Sequence, residues 1–178
     1  MDDHIRWTSS TNYRLREDNR IHLERSHVYT SFQDYVGDRS QAKGPKDFHS
    51  LDYPYDGLVM EVIDAAGGHP RDELVAWLFA DYLPWVQRGP HSPVAQSLVF
   101  VPQPLPGDKQ PDVDDIEGLD DRVTVLHFLT EDPRIHWMTR FAGNGARVAE
   151  SGQGKIQFAG PFIPVVHGTN LYVDELRG

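Results

Sequence analysis

The rhythm of apolar and polar positions changes near Gly57. From Ile5 to Val36 the chain is polar, rich in arginine and tyrosine, and only weakly periodic. Tyr13-Arg14-Leu15-Arg16 and Ile21-His22-Leu23 alternate as strands do, and Ser31 to Val36 has the length of one helical turn. Gly37 to Gly57 is broken by Gly44-Pro45, Tyr53-Pro54 and Asp56-Gly57, all turn-forming pairs. This break divides the chain into an N-terminal extension, residues 1–57, that packs on the core or on a partner subunit, and a domain, residues 58–178.

Beyond the break the elements are well marked. Leu58-Val59-Met60-Glu61-Val62-Ile63 is a short apolar run and predicts a strand buried on both faces, ended by Gly67-Gly68-His69-Pro70. Pro70 suits the first turn of a helix, and Asp72 and Glu73 favour its positive end. Leu74, Val75, Leu78, Phe79 and Tyr82 then recur at spacings of three and four, and Pro84 closes or kinks that helix. Val94 to Val101 predicts a second strand, stopped by prolines at 102, 104 and 106, and Arg122 to Leu129 a third. Asp132-Pro133 opens a second helix with Ile135, Met138 and Phe141 on one side, weakened or ended by Gly143 and Gly145. Ile156 to Val166 is a fourth strand, where Gly160-Pro161 implies a bulge or an edge position, and Leu171-Tyr172-Val173 a short last one.

The order strand, helix, strand, strand, helix, strand predicts an α+β fold of ferredoxin-like type. Its β-α-β-β-α-β chain forms one antiparallel sheet with two helices on one face and with the first and third strands as central neighbours. The opposite sheet face also carries apolar residues and needs a cover, supplied by a second subunit, by the extension, or by both.

Charge and composition narrow the partners. The net charge is −10, and residues 58–178 carry 9 basic and 17 acidic side chains against 8 and 10 in residues 1–57. A negative field of this kind repels phosphate backbones, so no nucleic-acid partner is expected. Much of the excess lies in Asp108, Asp112, Asp114, Asp115, Glu117, Asp120 and Asp121, a solvated loop lacking the glycine and final glutamate of a calcium-binding EF-hand. There is no cysteine, hence no disulfide and no thiolate metal site. No stretch has the roughly 18 apolar residues of a membrane span, and Met1-Asp2-Asp3-His4 begins no secretory signal. A cytoplasmic location is expected.

Asp72-Glu73-Leu74-Val75-Ala76-Trp77-Leu78-Phe79-Ala80-Asp81-Tyr82-Leu83-Pro84 is similar to the first-helix pattern of the EthD-like branch of the dimeric α+β barrel superfamily, an acidic pair, an aromatic, then Trp-x-x-x-His-x-Pro. The resemblance spans about 120 residues and lies at the level of the fold. It implies a homodimer whose two sheets pack face to face, with a pocket between sheet and helices in each subunit. It implies cofactor-free cyclases, isomerases, dehydratases or lyases for small cyclic or aromatic compounds, or else oxygenases and haem-linked enzymes. Asp81 stands where the pattern has its histidine, and Pro84 comes one residue late, so no catalytic histidine carries over to that position.

The candidate chemistry is then sought in the strands. Glu61 interrupts an apolar strand, and a lone buried carboxylate costs several kcal/mol, so it must be paired or neutral. His127 sits mid-strand between Leu126 and Phe128, and if the two strands are neighbours the pair forms a general-base arrangement. Asp81 and Tyr82 lie late in the first helix near the implied pocket mouth, where Tyr82 can donate to a carbonyl or developing oxyanion. His167, at the end of the fourth strand, can serve as acid or base, and Arg140 with Arg147 can hold a substrate carboxylate. Trp77, Trp85, Phe100, Trp137 and Phe158 supply apolar walls.

His22 and His27, five apart, match neither helical nor same-face strand spacing for a metal. No His-Glu-x-x-His, complete phosphate loop or Gly-x-Ser-x-Gly elbow is present. These readings converge on a cofactor-independent, metal-free lyase, dehydratase or isomerase for a small apolar, aromatic or polyketide-like compound. In it His127 is the base, Glu61 its orienter, and Tyr82 or Asp81 handles oxygen. The alternatives are a non-catalytic protein that binds a small ligand or a subunit, and an oxygenase, haem-linked or not.

Overall fold

Backbone hydrogen bonding in the computed structural model closes one five-stranded sheet, antiparallel at every junction, in the order β1-β3-β4-β2-β5. The structure describes residues 32–41, 55–103 and 118–163. The chain divides into two units, and every element below belongs to the unit formed by Gln33–Pro102 and Gly118–Gly178. In the other, the described residues are Phe32 and Gln103, joined by a 2.8 Å backbone hydrogen bond from Gln103. The strands are β1 (Gln33–Ser40), β2 (Gly57–Ala65), β3 (Val94–Pro102), β4 (Arg122–Leu129) and β5 (Gly154–Phe162). No helix among the described residues is long and apolar enough to cross a membrane.

The first apolar run becomes β2, paired on one side with β4 and on the other with β5. Its burial is asymmetric rather than equal on both faces. Val59, Glu61 and Ile63 are fully enclosed, whereas on the other face Leu58 and Met60 are half-buried and Val62 is buried. β5 lies at a sheet edge, where the missing N–H of Pro161 leaves no central ladder broken. The register shift in this pairing falls at Gln157, between Ile156 and Phe158, rather than at Gly160-Pro161.

Two corrections concern the start of the chain and the second helix. Of the stretch expected to form a helical turn, the described residues from Gln33 onward are strand. They take up the free edge of β3, with a register shift between Tyr35 and Gly37. Gly37 fits closely there, since a Cβ would stand 3.0 Å from Phe79 Cζ and would push that ring by a few tenths of an ångström. The second correction is a change of phase. Ile135 and Met138 are exposed (70% and 77%), and the inward face is Pro133, Trp137, Phe141, Asn144 and Val148.

Both helical arms contain a wide turn of the i→i+5 type. α1 consists of Arg71–Trp77, the wide turn Leu78–Tyr82 and Leu83–Val86, and α2 of Pro133–His136, the wide turn Trp137–Phe141 and Asn144–Glu150. The N–H of Leu83 reaches the carbonyl of Leu78, and that of Ala142 reaches Trp137. In α1 the cause is legible. Pro84 has no N–H and its ring clashes with the carbonyl four residues back, and widening the preceding turn relieves the clash, so the helix continues past the proline. In α2, Asp132 caps the start by accepting from the Arg134 N–H at 2.9 Å, with Pro133 at the first position.

The core lies between the sheet and the two helical arms. Val59, Ile63, Leu74, Leu78, Leu83, Val86, Val99, Val123, Val125, Leu129, Phe141 and Val148 fill it. Burying each such side chain stabilises the fold by about 1.5–3 kcal/mol relative to leaving it in water. Enclosed by this layer is a group of polar side chains.

Candidate functional site

Sheet register brings the polar group together. β2 and β4 pair Val59 with His127 and Glu61 with Val125, while β3 and β4 pair Ser97 with His127. Directly paired residues project to the same face, so Glu61, His127 and Ser97 form a row beneath the helices. α1 contributes Tyr82, Gln87 follows at its C-terminal cap, and α2 contributes Asn144. All except Gln87, which is 8% exposed, are fully enclosed.

Three donors converge on the Glu61 carboxylate. The Tyr82 hydroxyl donates to Oε2 at 2.7 Å, Asn144 Nδ2 donates to Oε1 at 2.7 Å, and His127 Nε2 lies 3.1 Å from Oε2. The far side of the ring meets Ser97, whose Oγ lies 2.8 Å from His127 Nδ1. Gln87 Nε2 donates to Ser97 Oγ at 3.1 Å and to the Arg39 carbonyl of β1 at 2.7 Å.

This chain fixes the protons. Burial pushes the Glu61 carboxyl upward, but the hydrogen bond and charge attraction of His127, then the bonds from Tyr82 and Asn144, hold it below the ordinary carboxylate range. An ionised Glu61 only accepts, so His127 carries its proton on Nε2. Ser97 Oγ accepts from Gln87 and shares one further proton with Nδ1, either accepting from a protonated ring or donating to the lone pair of a neutral one. Tyr82 is held protonated, its hydroxyl raised well above the usual tyrosine range by burial and by the adjacent Glu61 charge.

Aromatic rings enclose the network. Tyr82 is stacked between Trp77 and Trp85, with centroids 5.4 and 6.0 Å away, and Phe141 packs on His127 at 5.7 Å with Trp137 stacked behind it. Tyr82 and Phe141 each end a wide turn, so both arms change their winding where they reach the network. Such turns recur at functional sites because they aim a side chain that a regular helix would rotate away.

The remaining candidates scatter. Asp81 is exposed and takes no part in the network. Phe100 pairs with Thr124 and packs edge-on against Tyr35 at 5.9 Å, on the opposite sheet face, where Phe158 is also exposed. Arg140 Nη1 caps the end of α1 by donating to the carbonyls of Val86 (2.6 Å) and Arg88 (3.3 Å). His167, His22, His27 and the acidic run from Asp108 to Glu117 lie outside the described residues. Among the described residues no three His, Asp or Glu side chains are grouped as metal ligands.

Ser97, Asn144 and Gln87 were not singled out by the sequence reading. For Ser97 a signal existed, since period-two alternation from Val99 puts it on the core face of β3. Asn144 shares the 141/144/148 spacing, but the wide turn before it hides that phase.

Compared with protein-family models, with curated proteins and with solved structures, the chain gives no significant match.

Proposed function

We propose that this protein is a cofactor-independent acid–base enzyme, a lyase, dehydratase or isomerase, acting on a small apolar, aromatic or polyketide-like compound. The observation that carries the reading is the Glu61–His127–Ser97 chain. It places an ionised carboxylate, an oriented imidazole and a hydroxyl in line, at a place where apolar residues would satisfy packing at lower cost. The strand order β3-β4-β2-β5 with both helices on one face fits a ferredoxin-like fold of the dimeric α+β barrel kind. The apolar opposite face fits pairing with a second copy.

In this reading the base is the Nδ1 lone pair of His127. A carbon acid beside a carbonyl gives its proton to the Ser97 oxygen as Ser97 passes its own to Nδ1. The C–H electron pair moves into the enolate, and the new imidazolium is stabilised by Glu61. The proton then returns to another carbon, completing an isomerisation, or to a β-hydroxyl that leaves as water. Tyr82 and Asn144 hold the Glu61 charge, so Tyr82 serves the carboxylate rather than a substrate oxygen.

The experiment is hydrogen–deuterium exchange. The full chain is incubated in D2O with a panel of small aromatic and polyketide-like carbonyl compounds, and NMR follows loss of the proton next to each carbonyl. Catalysed exchange in at least one compound, abolished in a folded His127→Gln variant, is the expected result. Exchange that persists in that variant, or that occurs with no member of the panel, overturns the assignment.

A second reading has its own observation. All ring nitrogens and hydroxyl protons of the row are already committed to partners, as in a purely structural network. A binding module built on that network would keep its ligand affinity in the His127→Gln variant and show no exchange.

A further inference from the structure

Gln87 joins two strands, and the junction has a direction. Its Nε2 donates to the main-chain carbonyl of Arg39 in β1 at 2.7 Å and to Ser97 Oγ in β3 at 3.1 Å. Sheet register puts those two partners opposite each other, since Arg39 pairs with Ser97. A main-chain carbonyl only accepts, so the end of the Gln87 amide that faces it must be the nitrogen. That nitrogen has two protons to give and accepts nothing, so it meets Ser97 as a donor. The polarity of the amide, and with it one position of the Ser97 hydroxyl, is set by a main-chain atom of β1.

What remains of Ser97 faces His127. Its Oγ lies 2.8 Å from Nδ1, while Nε2 at the other side of the ring lies 3.1 Å from Glu61 Oε2. The two arrangements of the proton shared by Ser97 and Nδ1 are not equivalent once Gln87 donates. A hydroxyl that accepts one hydrogen bond is polarised into a better donor and a poorer second acceptor. Gln87 therefore favours Ser97 donating to an Nδ1 lone pair over Ser97 accepting from an Nδ1 proton. The Glu61 carboxylate pulls the other way, because a negative neighbour favours the charged ring. The protonation of His127 is thus set between two opposed partners, one at each nitrogen. The other groups around the ring are Tyr82 of α1, with centroids 6.4 Å apart, and Phe141 of α2, whose Arg147 acts by its charge on Tyr82.

We propose that Gln87 is a positioning residue of the acid–base row, biasing the Ser97–His127 contact toward the form in which Nδ1 keeps its lone pair, with the Arg39 carbonyl of β1 as the anchor of that bias. The inference rests on the acid–base reading for the role of that lone pair as the base. It also brings part of residues 1–57 into the site. The sequence break places β1 in the extension, yet its main chain orients the amide that orients Ser97.

Nitrogen-15 NMR of the His127 ring in the full chain is the test, with its signals assigned by their loss in His127→Gln and titrated through the neutral range. No substrate is needed, so a failed bias is seen even where exchange succeeds, and a bias that holds is seen even where exchange fails. Gln87→Met keeps the length of the side chain and removes its donors. It should raise the proton affinity of Nδ1 about threefold, as the polarisation of Ser97 is lost. Introduced into Ser97→Ala, the same change should add nothing, because the relay is gone. Glu61, Tyr82 and Arg147 are the same in every variant, so such a difference is carried by Ser97. The wild type supplies a reading that needs no variant to fold. Its Gln87 amide proton bonded to Ser97 should shift as the ring gains its proton. Equal Nδ1 titration in wild type and folded Gln87→Met, an equal effect of Gln87→Met with and without Ser97, or a wild-type Gln87 amide signal indifferent to the ring would overturn the proposal.

Discussion

The two faces of the sheet hold their polar groups in different ways. The face covered by the helices holds Glu61, His127 and Ser97 in its middle row. The other carries Leu58, Met60, Leu126, Phe128 and Phe100, half-buried, with Phe158 and Phe162 45% exposed, and its buried polar residues Gln96 and Thr124 lie toward β1, where Gln96 bonds Tyr55 and Asp38. An antiparallel sheet with one covered face normally puts its polar residues on the open side. Polar groups under the helices therefore contribute nothing to solubility, and each must recover its lost hydration from a neighbour. They do so through a connected chain from Gln87 to Asn144. The contrast teaches that the row is a specified feature of the fold, and that stability on the two faces depends on different things.

That contrast can be broken first at its centre. Glu61→Leu removes the common acceptor and leaves the Tyr82, Asn144 and His127 donors buried without a partner. A loss of about 3–5 kcal/mol is expected in chemical denaturation. Tyr82→Phe keeps the packing between Trp77 and Trp85 but deletes one donor to a charged acceptor, costing about 1.5–3 kcal/mol. Arg140→Ala frees the Val86 carbonyl at the end of α1 and should cost about 1 kcal/mol. On the open face, Phe158→Ser should change stability by less than about 0.5 kcal/mol, unless a second copy covers this face. In that event light scattering would show the variant shifting toward monomer.

Acidity separates the faces further. Glu61 has a carboxyl held below its unfolded value, so its contribution is full above the unfolded carboxylate range and is lost as pH falls through the folded value. Denaturation midpoints measured across the acid range should fall for the wild type and flatten in Glu61→Gln, which has no carboxyl to protonate.

Much of the sheet was legible because largely buried strands leave short apolar runs bounded by glycine, proline and acidic turns. Arg122 to Leu129 and Val94 to Val101 match β4 and β3 within a residue. The meeting of Glu61 with His127 was legible as a possibility, since a carboxylate and an imidazole in neighbouring apolar strands need partners. The inward phase of α2 was not. A pattern read at 3.6 residues per turn assumes regular winding, and the wide turn at Trp137–Phe141 rotates Ile135 and Met138 outward and Asn144 inward. β1 was also hidden, because an edge strand in which Asp34, Tyr35 and Val36 are all exposed carries little apolar signal. Partners that act through amide oxygens and nitrogens, as Gln87 and Asn144 do, lack any spacing rule and become visible only once the chain is folded.

The claim on which all this depends is that Glu61 stays ionised while enclosed, because its donors outweigh its burial. Carbon-13 NMR of the labelled Glu61 side-chain carboxyl, titrated from neutral pH into the acid range, measures this directly. The account predicts a carboxylate signal that holds its position while exposed glutamates protonate, and that moves only as the protein unfolds. A Glu61 signal that titrates with the exposed glutamates, or at higher pH than they do, would contradict it.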